Sequence, residues 1–326
     1  MPDFPAGPVL NCVVLDDYQA VAGAVAPWQR LAPRVAVSFE ARFLGDDRDA
    51  LIARLRDADI VVANRERTRF DAGLLAELPR LRLLVTTGMR NAAIDIEAAA
   101  ARGILVCGTG SAGEPTVELT WGLILALARH IVTEANGLSA GRWQATLGLG
   151  LKGRTLGLVG LGRVGAGVAA VGRAFDMQVM AWSPRLTPER ASGAGVDMAA
   201  DLMSLFSTAD IVSLHATLTP ESRGLVGRDL LAAMKPGALL VNTARAGLVD
   251  QDALIAALKT GPLAGAALDV FESEPVAAGH PLLHLANVLA TPHLGYVTDE
   301  NYARYFGDAV DNIEAWLAGT PLRRIS

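Results

Sequence analysis

The stretch 155–165 reads TLGLVGLGRVG, an apolar run that passes directly into closely spaced glycines. The apolar residues 155–159 predict a buried strand, and the pattern over 165–174 predicts a helix. A strand, a glycine-rich turn and a helix in this order are typical of a βαβ unit whose strands pair in parallel. This stretch therefore indicates an α/β fold.

The glycines of the turn, Gly160, Gly162 and Gly165, have the spacing G-x-G-x-x-G. The first glycine allows a tight turn, the second lets the backbone approach a pyrophosphate, and the third lets the helix pack against the strand. Arg163 and Val164 lie at the start of the helix, where backbone N–H groups favour phosphate. An ordinary glycine turn is the alternative, but strand, spacing and helix together favour a dinucleotide site.

The second strand of this unit ends without the acidic residue that would bind the ribose 2′-hydroxyl of NAD. The sequence there is Ala181-Trp182-Ser183-Pro184-Arg185. Ser183 leaves room for a 2′-phosphate, and Arg185 supplies positive charge for one. The position favours NADP over NAD. Binding of NAD, with Arg185 in solvent, stays open.

Short apolar runs alternate with helical patterns on both sides of the glycine turn. The predicted strands are 9–14, 35–39, 60–63, 81–86, 104–107, 155–159, 178–181, 211–214, 238–242, 265–267 and 288–290. This alternation predicts two series of parallel strands covered by helices. Residues 115–136 are predicted to form one long helix whose apolar residues nearly encircle it, and 299–318 an amphipathic helix with no strand after it.

Composition excludes several classes of protein. The chain has 326 residues, which suggests two domains, and a formal net charge of -5, which argues against nucleic-acid binding. Cys12 and Cys107 are far apart, so neither a disulfide framework nor a metal site is expected. The N-terminal residues Met1–Pro5 do not resemble the start of a signal peptide, and no run is long enough to cross a membrane. We therefore expect a cytoplasmic protein.

Three segments after predicted strands carry the candidate catalytic residues, Arg245, Glu274 and His293. Reduction of a 2-oxo acid needs a cation for the carboxylate, and Arg245 can make a forked contact. It needs an acid for the developing alkoxide, and His293 can serve because histidine is a common proton donor in enzymes. A carboxylate such as Glu274 would orient the imidazole. Each residue alone could be a surface or loop residue, but all three follow strands behind a dinucleotide motif.

The run 234–250, MKPGALLVNTARAGLVD, together with these residues, resembles the D-isomer-specific 2-hydroxyacid dehydrogenases over nearly the whole chain. The resemblance implies that Arg245 binds substrate, that Glu274 partners the histidine and that His293 is the acid/base. It also implies a set of cofactor-binding residues besides the glycine turn. These are Thr116, His215, Thr243, Ala244 and Asp269, with Asp269 at the nicotinamide carboxamide.

The family also implies how the chain is divided. Residues 1–112 and 296–326 would form a flavodoxin-like substrate domain, and residues 113–295 a Rossmann cofactor domain, both doubly wound parallel sheets. Gly88, Met89 and Arg90 lie where family members bind the substrate carboxylate through backbone N–H groups. Tyr296 stands where a small residue is frequent and is expected to narrow the pocket. Arg90 departs from the family pattern: it would bind a second anionic group or pair with a neighbouring acid.

The function implied is hydride transfer between NAD(P)H and a small 2-oxo acid, of glyoxylate or hydroxypyruvate reductase type. A phosphoglycerate-type dehydrogenase is the alternative within the class, although we do not expect an allosterically regulated biosynthetic form with a further regulatory domain. A catalytically idle dinucleotide sensor or corepressor is the alternative outside it. A homodimer is expected. Trp143, in Gly141-Arg142-Trp143, resembles a residue that reaches a partner's active site, and simple interface packing is the other reading.

Overall fold

The computed structural model describes residues 8–326, so the predictions for Met1–Pro5 lie outside the described residues. The chain divides into two compact units. Unit 1 comprises the described residues up to Gly113 together with Thr298–Ser326, and unit 2 comprises Glu114–Val297. The sequence predicted that the first part of this domain ends at residue 112 and that the second part begins at residue 296. The structure places these boundaries one and two residues later, at Gly113 and Thr298.

The strands follow the predicted apolar runs closely. In chain order they are β1 (Leu10–Val14), β2 (Val35–Phe39), β3 (Ile60–Ala63), β4 (Leu83–Thr86), β5 (Leu105–Cys107), β6 (Thr155–Val159), β7 (Gln178–Trp182), β8 (Asp197–Met198), β9 (Ile211–Leu214), β10 (Ala238–Asn242), β11 (Leu263–Leu268) and β12 (Val288–Ala290). Most of their residues are buried, as strands of a sheet covered on both faces must be.

The helices connect successive strands. They are α1 (Ala22–Val25), α2 (Arg48–Leu55), α3 (Ala72–Ala76), α4 (Ile96–Ala101), α5 (Pro115–Ala128), α6 (Ile131–Ser139), α7 (Arg163–Ala174), α8 (Pro188–Gly193), α9 (Leu202–Thr208), α10 (Arg228–Ala233), α11 (Gln251–Thr260) and α12 (Asp299–Leu317). Short 3₁₀ turns cover Trp28–Leu31, Pro220–Ser222, Ala246–Leu248 and Pro281–His284.

Aspartate side chains begin several of these helices. Asp47, Asp71 and Asp95 precede α2, α3 and α4, and each accepts a hydrogen bond from the backbone N–H three residues later. Asp250 does the same for α11. Such caps satisfy amide groups that the helix leaves unpaired, and each stabilises its helix by about 1 kcal/mol.

Unit 1 contains a five-stranded parallel sheet in the order β2-β1-β3-β4-β5. This is the flavodoxin-like order, as predicted. The final helix, α12, buries Tyr302, Phe306, Val310 and Ile313, the predicted apolar stripe except for the half-buried Leu317. Its place in this unit explains why no strand follows it.

Unit 2 contains a seven-stranded parallel sheet in the order β12-β11-β10-β9-β6-β7-β8. The order reverses between β6 and β9, as in a Rossmann fold, where ligands bind beyond the carboxyl ends of the strands at the switch point. Separate apolar clusters lie on the two faces of this sheet, one around Phe206 and Leu240 and the other around Trp121 and Leu156. The predicted α/β fold class is confirmed.

The predicted single helix over 115–136 is wrong, because the structure has two helices there. His130 adopts a left-handed conformation with φ 50°. The carbonyl of Ala128, free of its helical partner, accepts the N–H of Leu149 at 2.7 Å.

No single described helix is both long and apolar enough to cross a membrane. The pair α5 and α6, bent by 61° at the break between them, would be so only if both helices are counted together. The prediction also missed the two-residue edge strand β8, both of whose residues are exposed.

A buried carboxyl group follows β1. Asp16 is 1% exposed, has φ 58° and accepts a hydrogen bond from Thr68 Oγ1 at 2.8 Å. Burial raises the pKa of Asp16 from 3.8 to about 6, while Thr68 and Arg67 act in the opposite direction. Because the native state holds this proton more tightly than the unfolded chain does, the stabilisation is complete below pH 3.8 and is lost as the pH rises through about 6.

We expect the Asp16→Asn variant to be more stable than the wild type at pH 7 by up to about 3 kcal/mol. Asparagine keeps an acceptor for Thr68, tolerates the left-handed conformation and carries no charge to bury. Denaturant unfolding at pH 4 and pH 7 measures the effect, with Asp57→Asn as an exposed control. A stability difference that is the same at both pH values would contradict this prediction.

Candidate active site

The glycine turn after β6 leaves no room for a side chain at two of its three glycines, Gly160 and Gly165. Gly160 has φ 102°, and a Cβ there would lie 2.7 Å from the carbonyl of His215. A Cβ on Gly165 would overlap the Gly160 carbonyl oxygen. A Cβ on Gly162 would meet nothing within 4 Å, so the start of α7 faces open space. The turn therefore fits a pyrophosphate at the helix N-terminus, with its amide groups as donors.

His215 lies beside this turn. Its backbone N–H donates to Val159 O at 2.8 Å, and its Nε2 lies 2.9 Å from Ser213 Oγ. Burial lowers the pKa of His215 from 6.5 to about 4, so the ring is neutral at pH 7. A neutral imidazole at this position adds no charge to a dinucleotide groove.

The residues predicted to read the 2′ position follow β7. Ser183 is half-buried and Arg185 is exposed. A third residue joins them, because the Arg190 guanidinium donates to Arg185 O at 3.2 Å and to Leu161 O at 3.4 Å. Arg190 therefore ties the turn after β7 to the glycine turn. Arg163 was predicted to lie at the phosphates. Its side chain forms an ion pair with Glu114 Oε1 at 2.6 Å, so the part of Arg163 that can face a phosphate is its backbone N–H at the start of α7.

The candidate catalytic residues follow β10, β11 and β12, neighbouring strands at one edge of the sheet. In the register of these strands Asn242 is opposite Leu268, and Leu268 is opposite Ala290. Arg245 and His293 each come three residues after this row. Since adjacent strands are about 4.8 Å apart, the chain leaves β10 and β12 about 10 Å from one another.

Glu274 and His293 are in direct contact. Glu274 Oε2 lies 2.6 Å from His293 Nδ1, and Glu274 Oε1 accepts the backbone N–H of Phe271 at 2.8 Å. An ionised carboxylate only accepts hydrogen bonds, so Nδ1 carries the proton in this pair. Nε2 is then the ring atom left for a substrate. The Tyr296 ring packs edge-on against the imidazole at 5.4 Å between centroids.

Asp269 holds the segment that carries His293. Its Oδ1 accepts from Thr291 Oγ1 at 2.6 Å and from Leu294 N at 2.7 Å, and its Oδ2 accepts from Gly295 N at 2.8 Å. Burial raises the pKa of Asp269, and these three donors act in the opposite direction. A carboxylate has about four acceptor positions, so room for one further donor remains on Asp269.

Arg245 is placed by the turn that ends β10. Asn242 Oδ1 accepts the N–H of Ala244 at 3.0 Å, and Asn242 Nδ2 donates to Arg245 O at 3.0 Å. The half-buried Arg245 side chain donates to Ala244 O at 2.7 Å. Two threonines of α5 contact this region. Thr120 Oγ1 lies 2.8 Å from Thr243 Oγ1, and Thr116 Oγ1 donates to Gly295 O at 2.7 Å.

Comparison with known proteins agrees with this arrangement. A family model described as "D-isomer specific 2-hydroxyacid dehydrogenase, NAD binding domain" matches residues 121–295. A glyoxylate reductase of Aeropyrum pernix is 38% identical over 281 residues, which are 83% of each chain. The chain belongs to the D-isomer-specific 2-hydroxyacid dehydrogenase family. The predicted family is confirmed, and the matched residues make unit 2 its NAD-binding domain.

Other members of this 2-hydroxyacid dehydrogenase family are equally similar. A D-3-phosphoglycerate dehydrogenase of Methanocaldococcus jannaschii is 40% identical over 259 residues, covering 78% of this chain and 49% of that protein. The crystal structure of a phosphoglycerate oxidoreductase from Vibrio cholerae is 37% identical and has a TM-score of 0.91, over 95% of this chain and 100% of that one. The chain therefore spans about half the length of the first of these relatives and all of the second.

The loop that the sequence predicts to bind the substrate carboxylate, residues 88–90, lies after β4 in unit 1. The Gly88 N–H donates to Thr109 Oγ1 at 2.7 Å, so this amide already has an acceptor. The backbone N–H groups of Met89 and Arg90 donate to no acceptor within residues 8–326. These two amides, on exposed residues, are the ones that remain for a substrate carboxylate.

Several residues that shape this candidate site have no separate signal in the sequence. Asn242 lies within the signature run 234–250, although an asparagine at a strand end commonly forms such a turn. Thr120 lies within the predicted helix over 115–136. Nothing in the sequence pattern signalled Arg190 or Thr109, because their partners are backbone groups distant in the chain.

Proposed function

We propose that the chain reduces small 2-oxo acids to D-2-hydroxy acids with NAD(P)H, as the glyoxylate and hydroxypyruvate reductases do, or catalyses the reverse reaction. The observation that supports this most directly is the 2.6 Å contact between Glu274 and His293 at the sheet edge that also bears Arg245. A histidine oriented by a carboxylate beside a dinucleotide turn suits proton transfer coupled to hydride transfer.

Each residue has a part in the reaction. The nicotinamide, when bound, supplies the hydride for C2 of the 2-oxo acid. The Arg245 guanidinium binds the substrate carboxylate and polarises the C2 carbonyl. His293 Nε2 gives its proton to the C2 oxygen as that oxygen gains charge. Glu274 stabilises the doubly protonated imidazole and keeps Nε2 directed at the substrate. The oxo acid thus gains a hydride at C2 and, from His293, a proton at the C2 oxygen.

A panel of 2-oxo acids tests this proposal. Glyoxylate, hydroxypyruvate, pyruvate and bulkier 2-oxo acids are each incubated with NADPH and with NADH, and cofactor absorbance and product chirality are followed. We expect D-hydroxy acid and a matching loss of reduced cofactor with at least one small acid. Absence of turnover throughout the panel, with bound dinucleotide demonstrated, would favour a dinucleotide sensor instead.

Oxidation of D-3-phosphoglycerate is the second candidate activity. It is favoured by the relative of that name, which is 40% identical over 78% of this chain. The same assay run with D-3-phosphoglycerate and the oxidised cofactors distinguishes it, since the two candidates use different substrates.

We infer a preference for NADP(H), from Ser183 and the exposed Arg185 after β7. No carboxylate stands where the ribose 2′-hydroxyl of NAD would be bound, and Arg190 holds the backbone of Arg185 in place. The neighbouring cations suit the two negative charges of a 2′-phosphate.

The Ser183→Asp variant should move the preference towards NADH. A carboxylate there repels a 2′-phosphate and accepts the 2′-hydroxyl of NADH, so the ratio of kcat/KM for NADPH to that for NADH should fall about 10- to 100-fold. Steady-state kinetics with both cofactors measure this ratio. Ser207→Asp, the same change on an exposed serine of α9, is the control. An unchanged ratio would show that residue 183 does not contact the 2′ group.

We further propose a homodimer formed through unit 2. The side chains of Leu138, Trp143 and Leu147 are 60%, 77% and 94% exposed, and they follow one another in α6 and the segment after it. Exposed apolar groups this close in sequence mark an interaction surface. Sizing in solution tests the proposal: a Trp143→Ser, Leu147→Ser double variant should be monomeric. Cofactor turnover by that monomer would show whether Trp143 also serves a partner's active site.

A further inference from the structure

Arg90 is an uncompensated cation on the substrate loop of unit 1. It is exposed, and within residues 8–326 it forms no ion pair and its guanidinium makes no hydrogen bond. The sequence left open whether it pairs with a neighbouring acid, and among residues 8–326 no acidic side chain forms an ion pair with it. A cation beside the amides that remain for a substrate carboxylate is therefore left for a ligand.

The other arginines near this loop have partners already. The Arg65 guanidinium packs against Gly88, donates to Thr87 O at 3.2 Å and lies 3.5 Å from Glu66 Oε2. Arg67 donates to Asp16 O at 2.6 Å and stacks over the Tyr18 ring at 4.2 Å. The charge of Arg65 is shared with Glu66, so it does not substitute for Arg90.

The loop that carries Arg90 is fixed to its surroundings. Asn91 Nδ2 donates to Arg65 O at 2.7 Å and to Thr86 Oγ1 at 2.8 Å, and Asn91 Oδ1 accepts the N–H of Ala93 at 2.8 Å. Residue 91 thus anchors the backbone immediately after Arg90, while Thr109 anchors Gly88 before it. The Arg90 side chain itself makes no hydrogen bond to residues 8–326, although the backbone on either side of it is held in place.

We propose that the substrate carries a second anionic group, a carboxylate or a phosphate at the end remote from the 2-oxo acid, and that the Arg90 guanidinium binds it. This inference rests on the proposed function. The backbone amides of Met89 and Arg90 bind the first carboxylate of the substrate. The forked guanidinium of Arg90 matches two oxygens of the second anionic group. A substrate with a single carboxylate leaves that charge unused.

Pairs of substrates of equal chain length test the proposal. The carboxylate arm compares 2-oxosuccinate with 2-oxobutyrate and 2-oxoglutarate with 2-oxopentanoate, and the phosphate arm compares 3-phosphohydroxypyruvate with hydroxypyruvate. In one arm we expect the wild type to prefer the acid with the second anionic group, and this preference identifies that group. In Arg90→Met the KM for this acid should rise about 10- to 100-fold with kcat little changed. The KM for the matched acid without the second group should hardly change. Arg90→Lys should recover part of the loss.

The control is Arg56→Met, which removes an exposed arginine at the end of α2 in the same unit. If Arg90→Met affects both members of each pair equally, or neither, Arg90 is an ordinary surface charge and the proposal is overturned. Calorimetric binding of the same acids to the protein loaded with cofactor gives a second readout. If the wild type turns over no acid, the proposed function fails, whereas weaker binding of the dianion to Arg90→Met would still support this site.

Discussion

The His293→Ala variant should lose about 10²- to 10⁴-fold in kcat for 2-oxo acid reduction, the usual contribution of a positioned general acid. The reason is the pair that His293 forms with Glu274: Nδ1 donates to the carboxylate at 2.6 Å, and in the proposed mechanism Nε2 gives its proton to the substrate oxygen. Without the imidazole, water must supply that proton. Cofactor binding should persist, because the glycine turn is untouched. Stopped-flow absorbance of the reduced cofactor measures both the loss of kcat and the binding of the cofactor.

His284→Ala is the matched control, since His284 is an exposed histidine of the same unit. The Glu274→Gln variant distinguishes proton donation from mere packing. Glutamine keeps the shape of the side chain but not the charge that stabilises the imidazolium, so kcat should fall while cofactor binding should not change. If His293→Ala retained the wild-type kcat, another group would be the acid and the assignment of His293 would be withdrawn.

Much of the fold was predictable from hydrophobicity alone. Parallel strands covered on both faces are continuous apolar runs, and β3, β6, β9 and β10 begin and end where the sequence predicted. β8 was missed because it is a two-residue edge strand with both residues exposed, which leaves no apolar run to find. The division of α5 from α6 was missed because it depends on a left-handed histidine, His130, and on the distant N–H of Leu149.

The candidate site was predictable in its residue types but not in its internal contacts. The glycine spacing was enough to identify Gly160 and Gly165, since a side chain at either position would collide with backbone. The pairing of Glu274 with His293 followed from their chemistry. The three hydrogen bonds of Asp269 could not be foreseen, because they depend on how the segment 291–295 turns, with His293 itself at φ 53°. Sequence patterns report burial and spacing, whereas backbone conformation in a loop is fixed by contacts along the whole edge of the sheet.

Replacement of Arg245 should be nearly as damaging as replacement of His293. Arg245→Met removes the guanidinium that we propose binds the carboxylate and polarises the carbonyl, and kcat/KM should fall about 10²- to 10³-fold. Arg245→Lys keeps the charge but not the planar fork, so it should recover only part of this loss. Asn242 would still form the turn after β10, because it bonds to the backbone of residues 244 and 245 and not to the side chain. The fold should therefore survive.

Chemical rescue makes the test of Arg245 specific. In Arg245→Ala, added guanidinium ion should restore part of kcat/KM, because the free cation can occupy the vacated position beside the substrate carboxylate. Arg228→Ala, on the exposed first turn of α10, should show neither the loss nor the rescue. Full activity in Arg245→Met would mean that another cation holds the carboxylate. A loss that guanidinium cannot restore, accompanied by weaker cofactor binding, would instead assign Arg245 to the structure of the turn after β10.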